Sequence, residues 1–387
     1  MKQQVRQLLL DAAGNAYDRS SPLGVGSPTN LLVIRPDHMG DLLLSVPALR
    51  WLRRRLPMTT ISLMVGPWNR EIAEHIPFVD NVLTYPFPWF DRKPKRAPWK
   101  PYLQIRDAAQ TLRPHHFDMA ITLRHDFWWG AWMTAAADIP QRAGYQLPET
   151  APFLNQPIAF DSYKHEVEQT LTLVQAALPS TNPVLASVDE SMEFAVTDDE
   201  RAFADAWLEE HEAADRPLIA IHPGAGAPVK QWRPERFGEL AQHLSQSMGA
   251  RIVLTGDTGE ASLVQQVVDS SGDARPVPLI GARLGQVAAV LQRCQLAVGG
   301  DAGIMHLAAA VGTPTVRLYG PVDPKRFGPW GKPGEQRVVQ SELPCVPCNR
   351  LDYSPSELVF HPCVRSITLH AVLSAIKPLL APMAVTP

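Results

Sequence analysis

The 387-residue sequence has almost no surplus charge: 36 basic against 39 acidic side chains leave a formal net charge of −3. That gives no electrostatic footprint for a nucleic-acid partner, so none is expected. No apolar run approaches the roughly 18 residues needed to span a bilayer. The opening MKQQVRQLLLDAAGNAY is too polar for a secretory signal and reads as a short amphipathic helix. A cytoplasmic location follows as the expectation. There are only four cysteines, which in that compartment are more readily reduced or metal-bound than paired. A G-x-x-x-x-G-K-[ST] run is absent, which argues against a P-loop kinase, and HPGAGAP lacks the third glycine of G-x-G-x-x-G. A bound diphosphate would have to be held by helix ends and a lysine instead.

What is present points to a core-forming protein. Apolar residues make up 45% and charged residues 19%, a globular balance. The length suits two domains. Strand-like runs alternate with helix-like ones in both halves, the pattern of parallel sheets covered on two faces. In the first half these are NLLVIR, TISLMV, NVLTYP, DMAITL and RAGYQL; in the second, PLIAIH, RIVLTG, PVPLIG, QLAVGG and PTVRLYG. The fold expected is α/β, with two doubly wound Rossmann-like domains facing an interdomain cleft, the default ligand site. Between Pro179 and Glu200 helical periodicity gives way to turn residues. The boundary is placed there, with residues 1–185 as one domain and 186–387 as the other.

Three loops carry candidate chemistry. In IRPDHMGDLLLSVPAL, residues 34–49, Asp41 stands after a buried strand, and from it Leu42, Val46, Leu49, Leu52 and Leu56 recur at helical spacing. It is either a helix-capping acid, worth about 0.5–2 kcal/mol, or a carboxylate facing a ligand beyond the strand end. In IAIHPGAGAPVKQW, His222 ends a strand, Gly224 and Gly226 let backbone amides approach an anion, and Lys230 adds a point charge suited to phosphate. The same stretch also reads as a flexible turn with a surface lysine. In QLAVGGDAGIMHLAAAVG, a strand runs into Asp301, Ala302 and Gly303, where a helix begins whose free N–H groups suit a pyrophosphate, with Asp301 able to accept from sugar hydroxyls. Alternatively Asp301 is an N-cap and His306 a packed helix histidine.

The blocks RPDHMGDLLLSVPALRWLRRRLP, FDMAITLR, IHPGAGAPVKQWRPERFGELA, LTGDTGE and AVGGDAGIMHLAAAVGTPTVRLYGPVDPKRFGPWG, in this order over residues 30–375, resemble glycosyltransferase family 9, the ADP-heptose:lipopolysaccharide heptosyltransferases. The resemblance implies a GT-B architecture. It also implies inverting, metal-independent transfer from a nucleotide-diphosphate sugar, most simply ADP-heptose, to a hydroxyl of lipopolysaccharide core or a related glycan. By that likeness Asp41 is the general base and Lys230 neutralises the departing diphosphate. Asp301 grips sugar hydroxyls, the amides of Ala302 and Gly303 hold phosphate, Glu260 reaches the nucleoside, and His222, Gly224 and His306 complete the donor site. Relatives often carry serine or threonine where this chain has Ala302, so a hydroxyl donor to phosphate is missing there while the amides remain.

Two further stretches stand out. YPFPWFDRKPKRAPWKPY interleaves aromatics with Arg92, Lys93, Lys95, Arg96 and Lys100, and its prolines forbid a regular helix. Since the amino-terminal domain of this family receives the acceptor, the stretch is expected to meet anionic glycolipid or the inner face of the cytoplasmic membrane; a solvated, proline-stiffened loop is the alternative. In the tail, Cys345, Cys348, His361 and Cys363 could close a structural zinc or iron site. Members that glycosylate autotransporter proteins hold an iron there with four cysteines; here the fourth ligand would be His361. Reduced cysteines packed beside the final helix are the alternative, and Cys294 reads as core. No cofactor is expected for catalysis. Two other functions fit the same architecture: a nucleotide-sugar 2-epimerase, which needs no acceptor base, and a non-catalytic nucleotide-sugar or glycan-binding protein.

Overall fold

Strands with one wet face alternate apolar and polar residues, whereas strands covered on both faces read as continuous apolar runs. The second case holds here, in two sheets. In a computed structural model, which describes residues 2–17, 20, 27–90, 99–179, 189–213, 215–332, 334–354 and 356–380, the chain divides into two compact units, Met1–Glu190 and Ser191–Pro387.

The first unit holds β1 (Asn30–Arg35), β2 (Thr60–Val65), β3 (Asn81–Thr84), β4 (Met119–Thr122), β5 (Gln141–Tyr145) and β6 (Gln156–Ile158). They form one six-stranded sheet in the order β3-β2-β1-β4-β5-β6, parallel throughout, with Leu31 opposite Ile61 on one side and Met119 on the other. The second unit holds β7 (Leu218–His222), β8 (Arg251–Gly256), β9 (Val277–Ile280), β10 (Leu296–Gly300), β11 (Thr315–Tyr319) and β12 (Gln336–Gln340). Its order is β12-β11-β10-β7-β8-β9, again all parallel. Read from the opposite edge, this is the order of the first sheet. In each sheet the strand order reverses beside the first strand, between β1 and β4 and between β7 and β10. At such a switch point the loops leave in opposite directions and open a crevice beyond the carboxyl ends of the strands.

Each sheet has its own core. The first is rich in aromatics, with Trp129, Phe87 and Phe153 wholly buried; the Trp129 Nε1 donates to the Pro101 carbonyl at 2.8 Å, so the indole is buried without an orphaned donor. The second packs β7, β8 and β10 around Trp232, whose Nε1 donates to the Ile367 carbonyl at 2.9 Å and ties down the carboxyl-terminal segment. Burying a large apolar side chain contributes about 1.5–3 kcal/mol. Among the described residues no helix is long and apolar enough to cross a membrane.

All ten expected strand runs are strands, and Lys2–Gly14 is the expected amino-terminal helix. β6 and β12 had no counterpart in the sequence reading. Both are edge strands: β6 has three residues with Pro157 at its centre, and β12, QRVVQ, has no buried residue. An edge strand has one partner and little buried surface, so its apolar signal is weak. The single helix expected from Asp41 onward is two, Met39–Leu43 and Val46–Arg55. Pro47 lacks an N–H and its ring would clash with the Leu43 carbonyl, so a new helix starts with the proline in its first turn.

Candidate active site

In the first unit the carboxyl end of β1 delivers an unusual charge cluster. Arg35 ends the strand with its side chain 1% accessible. Its Nη2 donates to Glu166 Oε1 at 2.7 Å, and the same nitrogen lies 3.8 Å from Asp41 Oδ1. Its Nε lies 3.0 Å from Asp37 Oδ2, an ion contact not aligned as a hydrogen bond. Arg124, in the loop after β4, pairs with the other Asp37 oxygen and with Asp126. The cluster therefore straddles the switch point, with three carboxylates sharing Arg35. Asp37 is fixed further by its carbonyl, which accepts from Trp68 Nε1 at 2.8 Å and Asn69 Nδ2 at 3.0 Å.

Asp41 differs from its neighbours. Its side chain is 32% accessible, against 3% for Asp37 and 5% for Glu166. It is no cap: His38 holds the N-cap position without a side-chain capping bond, and no hydrogen bond reaches the Asp41 carboxylate among the described residues. Poor solvation of the site and the Asp37 and Glu166 carboxylates push its pKa up to about 7, against the pull of Arg35 and Arg124. A base that titrates there exchanges protons readily at neutral pH.

In the second unit the expected donor residues gather at the ends of β7, β8 and β10. Lys230 Nζ and Asp301 Oδ2 form an ion pair of 2.7 Å across the switch point, with both side chains mostly buried. Asp301 is thus a partner of Lys230, and the N-cap of the helix Gly303–Ala310 is Ala302, which supplies no side-chain bond. Glu260 is held in a reciprocal cap with Asp257: its N–H donates to Asp257 Oδ1 at 3.0 Å and its Oε2 accepts from the Asp257 N–H at 3.1 Å. The same carboxylate stands against Gly224, where an added Cβ would meet Oε1 at 1.8 Å. His222 Nδ1 faces the Thr255 carbonyl at 3.0 Å, and burial holds the ring below the usual imidazole pKa despite Glu260, so it is neutral with its proton on Nδ1. His306 is a packed helix histidine: it is 4% exposed and lies 3.1 Å from Nη1 of the wholly buried Arg317.

Several charged residues here, Asp37, Asp126 and Asp257 among them, had no role in the sequence reading. Arg35 closes a buried apolar strand and Arg317 interrupts one, a signal that could have marked them. Arg124 and Glu166 carry no such signal, because only the tertiary fold brings them to β1.

In the tail, burial and then the nearby Cys345 and Cys348 thiols push the Cys363 pKa up. Cys345 and Cys348 are exposed, Cys363 is buried, and the His361 ring packs on Tyr353 at 4.1 Å. Among the described residues no group of three or more His, Cys, Asp or Glu side chains is arranged to hold a metal ion. Cys294 is buried at a helix end, as expected of a core thiol. Of the basic stretch, Arg92, Lys93, Lys95 and Arg96 lie outside the described residues; Lys100 is exposed and starts the helix Lys100–Leu112.

Residues 105–355 match the profile of glycosyltransferase family 9 (heptosyltransferase); β1 and Asp41 precede the matched residues. Lipopolysaccharide heptosyltransferase 2 of Salmonella typhimurium is 28% identical over 312 residues, covering 76% of this chain and 83% of that one. A glycosyl transferase family 9 structure from Veillonella parvula superposes with a TM-score of 0.75 at 21% identity, covering 91% and 97% of the two chains. The Escherichia coli ADP-heptose lipopolysaccharide heptosyltransferase II structure gives 0.71 at 23% identity, covering 90% and 98%. The fold of this chain is GT-B.

Proposed function

Because the chain belongs to glycosyltransferase family 9, the heptosyltransferase family, we propose that it transfers heptose from ADP-heptose to a hydroxyl of lipopolysaccharide core, with inversion and without a metal. The observation that carries the reading is Asp41: of the three acids around Arg35 it is the one open to solvent, at 32% against 3% for Asp37 and 5% for Glu166, while poor solvation and its acid neighbours push its pKa up. Asp41 takes the proton of the acceptor hydroxyl as that oxygen bonds to the anomeric carbon and the bond to the diphosphate breaks. A single displacement inverts the anomeric centre. The electron pair leaves with the diphosphate, whose charge Lys230 and the amides at the start of the helix Gly303–Ala310 receive. Asp301, held by Lys230, accepts from the sugar hydroxyls, and Glu260 from the nucleoside.

The acceptor is an amphiphile, and the protein meets it at an anionic membrane surface through Lys100 and its exposed neighbours Trp99 and Leu103. The test is product formation from ADP-, UDP- and GDP-sugars with heptose-deficient lipopolysaccharide core, with the anomeric configuration read by NMR and a chelator in one arm. Transfer from ADP-heptose with inversion, unchanged by chelator and lowered about 10²–10⁴-fold in Asp41→Ala, is the expected result. Donor binding without transfer to any acceptor, or an Asp41→Ala variant that still converts donor alone at full rate, overturns it.

A further inference from the structure

One guanidinium nitrogen faces two carboxylates in the first unit. Arg35 Nη2 lies 2.7 Å from Glu166 Oε1 and 3.8 Å from Asp41 Oδ1; the first is a hydrogen bond and the second is not. We propose that Glu166 is a positioning residue for Asp41, holding Arg35 Nη2 away from the Asp41 carboxylate so that Asp41 stays available as a proton acceptor. The proposal takes its functional meaning from Asp41 as base, but its test does not need sugar transfer.

The neighbouring groups leave little freedom. Arg35 cannot turn to water, since its side chain is 1% accessible within β1. Asp37 lies against its Nε and is itself tied to Arg124. Glu166 is the first residue of the helix Glu166–Ala177, whose start is fixed on both sides of it. The Val167 N–H donates to His165 Nδ1 at 3.2 Å, and the His165 N–H donates to Glu168 Oε2 at 2.9 Å. The helix, through Glu166, therefore sets where Nη2 stands. Without that hold, Nη2 still faces Asp41 Oδ1 at 3.8 Å, and a small rotation closes a charge-assisted hydrogen bond that favours the Asp41 anion and weakens it as a base.

The charged groups acting on Asp41 are Arg35 and Asp37 from β1 and its loop, Arg124 from the loop after β4, and Glu166. Of the other titratable groups nearby, His38 packs on Trp68, Asp126 pairs with Arg124, His125 stacks on Phe160, and the Tyr145 hydroxyl donates to the Gln169 carbonyl.

The experiment is the carboxyl titration of Asp41 in the ligand-free full chain labelled with [γ-13C]aspartate, the resonance assigned by its loss in Asp41→Asn. Glu166→Gln is expected to lower the Asp41 midpoint by about one pH unit or more. Glu166→Asp keeps the charge but loosens the hold on Nη2, and is expected to shift the midpoint in the same direction by less; it decides the matter if Glu166→Gln does not fold. A midpoint that stays in place or rises in the folded variant overturns the proposal. In the transfer assay the acid limb of kcat/KM moves with the midpoint, whereas a merely structural role lowers the rate equally at every pH. If the chain transfers no sugar, the product assay reports that failure and the titration still decides the role of Glu166.

Discussion

Between about pH 4 and 7 the folded chain keeps a proton on Asp41 that the unfolded chain releases, because the carboxyl is lifted from its ordinary 3.8 to about 7. The native state then binds more protons than the unfolded state, so stability falls as pH rises through that window. Asp41→Asn removes the penalty. With the side chain 32% accessible the gain is discounted to about 1 kcal/mol, or roughly 2–4 °C in Tm. That gain is expected at about pH 8 and absent below about pH 4, and calorimetry at the two values checks it; a variant more stable yet inactive is the signature of a strained functional group. Lys230→Ala leaves Asp301 without its partner at 2.7 Å, and kcat is expected to fall about 10²–10³-fold with a smaller change in donor KM, read by steady-state kinetics. Asp41, Lys230 and Asp301 drew attention in the sequence because they lie in the segments that follow β1, β7 and β10, and Glu260, after β8, through the family resemblance alone. Glu166 did not, since it meets Arg35 across 131 positions and nothing local distinguishes it from any acid in a first helical turn.

At the scale of elements, strand ends are where glycine is required. A Cβ on Gly299 of β10 would meet the His222 carbonyl at 2.9 Å and Met305 Sδ at 2.7 Å, so backbone or core must move. Gly299→Ala is expected to cost about 1–3 kcal/mol, visible as a lower urea midpoint. At Gly224 the obstruction is the Glu260 carboxylate, a side chain rather than backbone, so Gly224→Ala is expected to fold, to raise donor KM and to lower Tm by less than Gly299→Ala, the cost being the displaced cap on Asp257. The contrast separates a scaffold glycine from a site glycine. Interior strands declared themselves by continuous apolar runs, whereas β6 and β12, with no buried residue between them, left no such trace. The helix after β1 was read as one because apolar spacing persists through Pro47 even though the hydrogen-bond ladder cannot.

At the scale of the whole molecule, a net charge of −3 hides a local excess of base near Lys100, beside Trp99 and Leu103, which are 65% and 72% exposed. A basic side chain near an anionic surface contributes about 1 kcal/mol, and an aromatic ring anchors in the headgroup layer. Trp99→Ala combined with Lys100→Gln is expected to weaken co-sedimentation with anionic phospholipid vesicles about fivefold or more while leaving ADP-heptose binding unchanged. Equal vesicle binding by the variant would remove the surface contact from the proposal. The two sheets, wired alike, amount to one folding solution used twice in a single polypeptide. Chemical novelty in such a chain accumulates where loops depart from that shared frame, so evolution could retool one half's cargo without renegotiating the architecture of either.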